Sequence, residues 1–473
     1  MTRLDRAAGV LLGAAAGDAL GVPYEYGSRP LPAPGEPARM LGGGLGGFAP
    51  GEWSDDTAMT CAIAEVAATG ADLRSPAALD AVAAGFLRWF KGRPPDVGVQ
   101  TRRVLGGVSS VAGAAALRAR AAALHARTGR TAGNGSLMRT APVALAHLGD
   151  PDAIAAAARA VSALTHYDPV AGEACVLWCL ALDHTVRTGE LDLRIGLAHV
   201  PDAWAGVIDE AERGEPVAFA DRNGWVVAAL QGAWSAVVRA TGFEDGLQAA
   251  VHGGGDTDTV AAIAGALLGA RFGGSAVPAR WRRMLHGWPG LRARDLVRLA
   301  VLAAGRGRSD AAGWPAGGRL DTYGGSPTGV VAHPDDPGVL LGAVGALRPG
   351  VADAVVSLCR LGAEEAPLAG VAPEDHVEVW LIDRDDANLD LARVLADTAD
   401  VVRELRGEGK TVLLHCAYAQ TRTPVVAAAY GSLISGSTTA AALDRVLRVL
   451  PAARPRPSIV TALTEAHRIS PEG

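Results

Sequence analysis

Two stretches of this chain concentrate oxygen ligands in a sequence otherwise dominated by alanine and glycine. The first is "GEWSDDTAMT", with Ser54, Asp55 and Asp56; the second is "HGGGDTDTVAAIAGALLGARFGG", with Asp256, Asp258 and Thr259. Each opens a small-residue run that reads as a helix. One carboxylate or hydroxyl there is an ordinary cap, favoured by the unpaired N–H groups and the helix dipole. Each cluster alone has that explanation, but both have more carboxylates than a cap needs, and neighbouring carboxylates repel unless something positive neutralises them. Brought together, the six residues would form an all-oxygen cage suited to hard cations, Mg²⁺ or Mn²⁺, with enough carboxylates for two ions. Spacing cannot show that the clusters meet. Cys175 and Cys179 lie one helical turn apart without obvious partners and read as core thiols.

A third stretch, "VLLHCAYAQTRTP", places Cys416 and Arg422 on either side of five residues, with a strand before and a helix after. A tight loop ending on a helix N-terminus points backbone N–H groups at an oxyanion. The same field favours the thiolate of Cys416, a nucleophile for phosphorus, while Arg422 can hold two phosphoryl oxygens at once.

Positioning these residues takes more than one core. At 473 residues, the chain predicts two domains. A formal net charge of −6 argues against a general nucleic-acid or anionic-membrane partner. Five scattered cysteines do not make a disulfide framework, which points to a reducing, cytoplasmic compartment. The N-terminal "MTRLDRAAGVLLGAAAGDAL" loosely mimics a signal peptide, but Asp18 interrupts it and it reads as a buried helix. No stretch is expected to span a membrane.

Up to about Arg298 the apolar periodicity is helical, broken by one Pro/Gly-dense loop, "GSRPLPAPGEPARMLGGGLGGFAPGEW", of a length usually tied to function. Residues 303–329 are rich in Gly, Arg, Ser and Pro and read as a linker. Beyond them "DAVVSLCRL", "HVEVWLI" and "TVLLHC" alternate with helical runs, which predicts a small α/β sheet. The expected architecture is therefore multidomain: all-α over 1–302, a linker over 303–329, and α/β over 330–473.

"GVLLGAAAGDALGVPYEY", "WSDDTAMT", "GNGSLMRTAP", "THYDP" and "GGDTDTVAAIAGALLGA" occur in this order across residues 9–270. The set resembles the ADP-ribosylglycohydrolase family, which includes the dinitrogenase reductase-activating glycohydrolases. The resemblance implies a compact all-α fold, a binuclear Mg²⁺ or Mn²⁺ centre, and cleavage of the bond between ADP-ribose and an acceptor, a protein side chain or a small molecule. By that likeness Ser54 (Thr in many members), Asp55, Asp56, Asp256, Asp258 and Thr259 are metal ligands. Glu25 helps position or deprotonate the attacking water; without the motif it would read as a surface glutamate. Asp18 is structural, holding the first helix to the loop. Gly133, Asn134, Gly135 and Ser136 form a turn along the ADP-ribose, its N–H groups turned to the diphosphate, and His166 sits beside the nucleotide. Alone, the turn is generic and a lone histidine is more often structural.

Residues 330–468 resemble dual-specificity and tyrosine-like cysteine phosphatases. That likeness makes Cys416 the nucleophile, Arg422 the phosphate clamp, Thr423 the hydroxyl assisting the leaving thiolate and His415 a buttress of the loop. Asp383 best fits the acid that protonates the leaving group, with Asp385 and Asp386 as competitors; a solvated acidic turn is the plainer reading of all three. One position departs from the pattern: Ala419 stands where the family carries glycine, and alanine resists the backbone angles glycine accepts. Turnover of a phosphate ester and binding without turnover are equally consistent with that loop. Three functions follow: a metal-dependent ADP-ribosyl hydrolase with an appended phosphatase-like domain, a phosphatase with an ADP-ribose-binding N-terminal domain, or a non-enzymatic sensor of ADP-ribose and phosphate.

Overall fold

The computed structural model describes residues 2–109, 113–385 and 387–469. They divide into two compact units, one of Arg3–Val277 with Leu285–Arg308, the other of Thr2, Pro278–Met284 and Ser309 onward.

The first unit is built of helices, with one ladder of two-residue strands at His286–Gly287 and Leu291–Arg292. Its centre is a pair of helices, α1 (Arg3–Gly21) and α3 (Thr257–Phe272), with α2 (Asp55–Ala67) beside them. Both α1 and α3 are apolar all round and buried along nearly their whole length, as core helices are. Glycines at 9, 13, 17 and 21 line one face of α1. A Cβ on Gly9 would fall 2.0 Å from the Gly269 carbonyl oxygen, one on Gly13 2.2 Å from that of Gly265, and one on Gly17 2.0 Å from that of Ala261. The two backbones are thus in direct contact. Contrary to the sequence-based expectation, α1 with the turn after it makes a 25-residue stretch long and apolar enough to cross a bilayer. The whole of its apolar window is buried inside the protein, because a glycine-faced helix finds its apolar surroundings in α3.

The second unit carries a five-stranded sheet: β1 (Val330–Ala332), β2 (Val339–Ala343), β3 (Ala354–Ser357), β4 (His376–Glu378) and β5 (Val412–Cys416), in the order β1-β2-β5-β3-β4. The β1/β2 pair is antiparallel and the remaining pairs are parallel. Continuous apolar runs such as "VLLHC" suit strands buried on both faces. Helices α5 (Leu391–Gly407) and α6 (Arg422–Ser435) pack against the sheet. Central β5 ends at Cys416 and α6 begins at Arg422, so the loop between them lies at the carboxyl ends of the parallel strands, where open α/β sheets bind ligands.

Two boundaries differ from the expected ones. Short helix α4 (Ala279–Met284), inside the stretch expected to belong to the first domain, is part of the second unit. The expected linker 303–329 is folded: helix Ala293–Ala304 crosses its start, and Trp314 and Leu320 are buried. Asp310 accepts hydrogen bonds from the Ala312 and Trp314 amides and pairs with Arg360 at 3.2 Å, and the Arg360 guanidinium lies 4.4 Å from the Trp314 ring. One tryptophan and one aspartate are enough to anchor a segment whose glycine content suggested flexibility.

Candidate functional site

Helices α2 and α3 begin at the same place, and their first turns carry the two acidic clusters. Ser54 caps α2, its hydroxyl accepting the Asp56 amide and lying 3.2 Å from Asp56 Oδ2. Thr259 Oγ1 of α3 reaches the same Asp56 Oδ2 at 3.5 Å, so the clusters meet. Carboxylate oxygens of Glu25, Asp256 and Asp258, all buried, lie within 4.8 Å of one another. Asp55 and Asp56 are buried too, and Asp56 Oδ1 has no hydrogen-bond partner. Asp18 accepts the amides of Ser54 at 2.9 Å and Thr57 at 3.0 Å, tying the end of α1 to the start of α2.

This packing of like charges out of water moves the titrations of Glu25, Asp55, Asp56, Asp258 and Asp18 upward. Burial, then the charges of Asp256, Asp96 and Asp55, push Glu25 up to about 9. Burial, then Asp96 and Asp18, bring Asp55 to about 7. Asp56 and Asp258 are held well above the usual carboxylate range, first by burial and then by their acidic neighbours. Burial takes Asp18 to about 6 against the pull of its hydrogen bonds from Ser54 and Thr57. A site of hard oxygen donors, with an orphaned carboxylate oxygen and carboxylic acids that resist ionising, fits a divalent cation.

The glycine turn departs from the expectation. Neither Gly133 nor Gly135 has a positive φ. They are glycines because the His166 ring lies against them: a Cβ would come within 3.4 Å of it at Gly133 and 3.1 Å at Gly135. The Asn134 amide donates to the Gly224 carbonyl, so it is not turned to a diphosphate. The Asn134 side chain instead donates to Asp256 Oδ2 at 2.7 Å. Ser136, in the same turn, is fully buried, its hydroxyl accepting from Ser162 and Cys175. His166 is buried with Nδ1 2.8 Å from Thr165 Oγ1; burial and then Arg139 hold it well below the usual histidine range, in the neutral form.

In the second unit Cys416, Arg422, Thr423 and His415 converge. Burial opposes ionisation of Cys416, but Arg422, the Thr423 hydroxyl and the amides of Thr423 and Tyr418 outweigh it, and the thiol titrates below its ordinary value. One Arg422 nitrogen donates to the Leu358 and Leu381 carbonyls at 3.0 and 2.8 Å, while its Nε carries no hydrogen bond. His415 Nε2 lies 2.6 Å from Ser357 Oγ, and burial takes it down to about 4, neutral at physiological pH. Ala419 has φ +56°, the left-handed conformation its glycine counterpart would take without strain. Asp383 stands 3.6 Å from Arg422 and 2.9 Å from Arg456. Asp385 is exposed and accepts a hydrogen bond from Ser458; Asp386 lies outside the described residues.

A profile described as ADP-ribosylglycohydrolase matches residues 1–311. The chain belongs to the ADP-ribosylglycohydrolase family. It is similar to ADP-ribosyl-[dinitrogen reductase] glycohydrolase of Rhodospirillum rubrum, 30% identical over 59% of this chain and 89% of that protein. It is also similar to ADP-ribosylarginine hydrolase Tri1 of Pseudomonas putida, 32% identical over 59% of this chain and 73% of the other. A solved ADP-ribosylglycohydrolase-related protein complex matches at 30% identity with a TM-score of 0.49, covering 64% of this chain and 99% of that one. Human DUSP28 matches at 21% identity with a TM-score of 0.26, over 30% of this chain and 94% of its own.

Several residues of the site are not among the candidates read from the sequence. Tyr26 donates its hydroxyl to Asp256 Oδ2 at 2.9 Å, and Asn223 Oδ1 accepts the Asp256 amide at 2.9 Å. Asp96 adds its charge to the field on Glu25 and Asp55. Tyr26 was legible beside Glu25 in "GVPYEY", whereas Asn223 and Asp96 sit in loops without a pattern.

Proposed function

We propose that this chain hydrolyses the bond between ADP-ribose and an acceptor at the acidic site, with an ADP-ribosylated arginine on a protein as the first substrate class. The names of its relatives support the substrate class. The observation that carries the chemistry is the meeting of Glu25, Asp256 and Asp258 with Asp55 and Asp56 in one buried cluster. Ser54, Asp55, Asp56, Asp256, Asp258 and Thr259 would hold two Mg²⁺ or Mn²⁺ ions, which when bound neutralise the cluster, orient sugar hydroxyls and activate water. Tyr26 and Asn134 both donate to Asp256 Oδ2 and so fix the Asp256 carboxylate. Glu25, ionised once the cluster's charge is compensated, takes the proton of the attacking water. The bond to the acceptor breaks with oxocarbenium-like charge on the anomeric carbon, which the surrounding carboxylates stabilise.

The test is release of free ADP-ribose from arginine- and serine-linked ADP-ribosyl peptides with Mg²⁺, Mn²⁺ or EDTA, beside an Asp55→Ala/Asp56→Ala double variant. Release from the arginine peptide that needs metal and disappears in the variant is the expected result. Equal release in EDTA refutes the metal role.

A second activity, phosphomonoester hydrolysis, is favoured by the Cys416 thiol, depressed by the charge of Arg422, and by Asp383 standing 3.6 Å from the Arg422 Nε. The thiolate attacks phosphorus, Asp383 protonates the departing oxygen, and water then hydrolyses the cysteinyl phosphate. Absence of p-nitrophenyl phosphate turnover excludes the activity, and turnover that survives Cys416→Ser excludes Cys416 as its nucleophile.

A further inference from the structure

Helix α4 has six residues, "ARWRRM", and lies within the stretch that matches the ADP-ribosylglycohydrolase family, yet it is packed in the second unit. Its three arginines divide the work. Arg280 pairs with Asp397, and Arg283 with Asp375 at 3.0 Å and Glu408 at 2.6 Å; these are ion pairs of a docked helix. Arg282 is different. It is 5% exposed, donates to the Glu378 carbonyl at 2.7 Å, and sets its guanidinium 4.8 Å from the Trp380 ring.

Those two partners mark the place where the chain leaves β4 for the loop that carries Asp383. Trp380 has φ +51°, a left-handed conformation that is strained for a bulky residue and persists only where its surroundings over-determine it. The surroundings are specific. The indole donates to Glu378 Oε2 at 3.2 Å, Trp314 meets the ring edge-on at 6.3 Å, and Arg282 covers it. The next residue, Leu381, gives its carbonyl to Arg422 at 2.8 Å. Ile382 is clasped by Asn388 through two hydrogen bonds, at 3.0 and 2.9 Å, and Asp383 follows, 3.6 Å from Arg422. The strained turn at Trp380 therefore sets where the acid stands. Arg280 and Arg283 already tie α4 to the unit through ion pairs; burying a third arginine is costly unless its donors meet fixed acceptors.

We propose that Arg282 is a positioning residue for the acid loop of the phosphatase-like site, holding the Trp380 turn so that Asp383 reaches the leaving group. The proposal rests on the phosphomonoesterase reading. In the full-length protein, Arg282→Met keeps an unbranched apolar stem and removes the guanidinium donors. Its activity is compared on p-nitrophenyl phosphate, whose leaving group needs little protonation, and phenyl phosphate, whose leaving group needs it. A positioned general acid is worth 10²–10⁴-fold. A loosened one is expected to cost about tenfold on phenyl phosphate and about twofold on p-nitrophenyl phosphate, a split that Asp383→Asn reproduces more strongly. Backbone hydrogen exchange of residues 380–385 rises in Arg282→Met, while β5 stays protected. An equal fall on both substrates, or unchanged exchange at 380–385, overturns the proposal. If the unaltered protein hydrolyses neither ester, the phosphatase reading fails, and the exchange measurement alone decides whether Arg282 holds the loop.

Discussion

The contact between α1 and α3 can be tested with one methyl group. Gly17→Ala would put a carbon 2.0 Å from the Ala261 carbonyl oxygen, where about 3.4 Å is the closest comfortable C···O approach, so the helices must part by about 1.4 Å. Neither side can give by a rotamer change, because the obstacle is backbone. Overpacking of a tight core costs about 1–3 kcal/mol, and a clash of backbone on backbone belongs at the upper end. At roughly 2–4 °C per kcal/mol for a unit of this size, melting of the first unit should fall by about 6–12 °C. The perturbation also reaches the acidic site. Asp18, the next residue, holds the amides of Ser54 and Thr57, and at the same interface a Cβ on Gly21 would lie 2.4 Å from Asp258 Cα. Mn²⁺ affinity, read by calorimetry, should therefore weaken by at least about tenfold, as metal sites lose that much even from outer-shell changes. Gly206→Ala supplies the opposite sign. Gly206 sits exposed inside helix Ala203–Arg213 with nothing within 4 Å of a new Cβ, so it should stabilise by about 0.5–1 kcal/mol. A Gly17→Ala protein with unchanged melting and unchanged Mn²⁺ affinity would refute the reasoning, since this backbone contact leaves no room for the methyl.

Three further outcomes follow from the charges and the loop. The folded, metal-free site holds protons that the unfolded chain has lost, so its stability is greatest below about pH 4 and declines as pH rises through the titrations of Asp18 at about 6, Asp55 at about 7 and Glu25 at about 9. EDTA-treated protein should thus melt progressively lower between pH 5 and 8, added Mn²⁺ should reverse the trend, and binding at pH 7 should release protons into a weak buffer. Alkylation of Cys416 by iodoacetamide should rise to half-maximum below the pH of an ordinary thiol, and Arg422→Ala should shift that midpoint upward, because the guanidinium is the largest influence favouring the thiolate. Ala419→Gly removes about 1 kcal/mol of left-handed strain and should raise phosphate-ester turnover several-fold, measured as kcat/KM on an aryl phosphate.

Much of the site was legible because its chemistry is written locally. Asp55–Asp56 and Asp256–Asp258 each lie within one turn of a helix start, and a cap cannot use that many carboxylates. Strands β3, β4 and β5 were legible as short β-rich runs; β1 and β2 were not, since "VVA" and "VLLGA" are too short and too alanine-like to separate from helix. What spacing could not supply was long-range placement. Asn134 sits in a turn whose glycines suggested phosphate, but its amide serves Gly224 and its side chain serves Asp256, far along the chain. The four-residue glycine spacing of "GVLLGAAAGDALG" was a readable sign of close helix packing that composition alone obscured. The linker reading failed for the same reason in reverse: glycine content described the segment, and Trp314 decided it.

The glycines and the carboxylates belong to one argument. Anions gathered at buried helix starts are favoured by the helix dipoles, by the amides bound to Asp18 and by the Tyr26 and Asn134 donors on Asp256. That support is incomplete, as the upward titrations of Glu25, Asp55, Asp56 and Asp258 show. A flexible site would relieve the remaining repulsion by spreading apart and admitting water. Here it cannot, because Asp258 rides on α3 and Asp18 on α1, whose backbones touch, and Asp18 in turn fixes the start of α2. The repulsion is therefore retained as affinity for whatever positive charge enters, and the tightness of the glycine contact sets how much is retained. Loosening the contact should relieve the metal-free protein's carboxylates, lowering their titrations toward ordinary values, at the same time as it weakens Mn²⁺ binding. Gly17→Ala should for that reason show a smaller proton release on Mn²⁺ binding than the unaltered protein; an unchanged release alongside a weakened affinity would mean that the glycine contact and the charge cluster are independent.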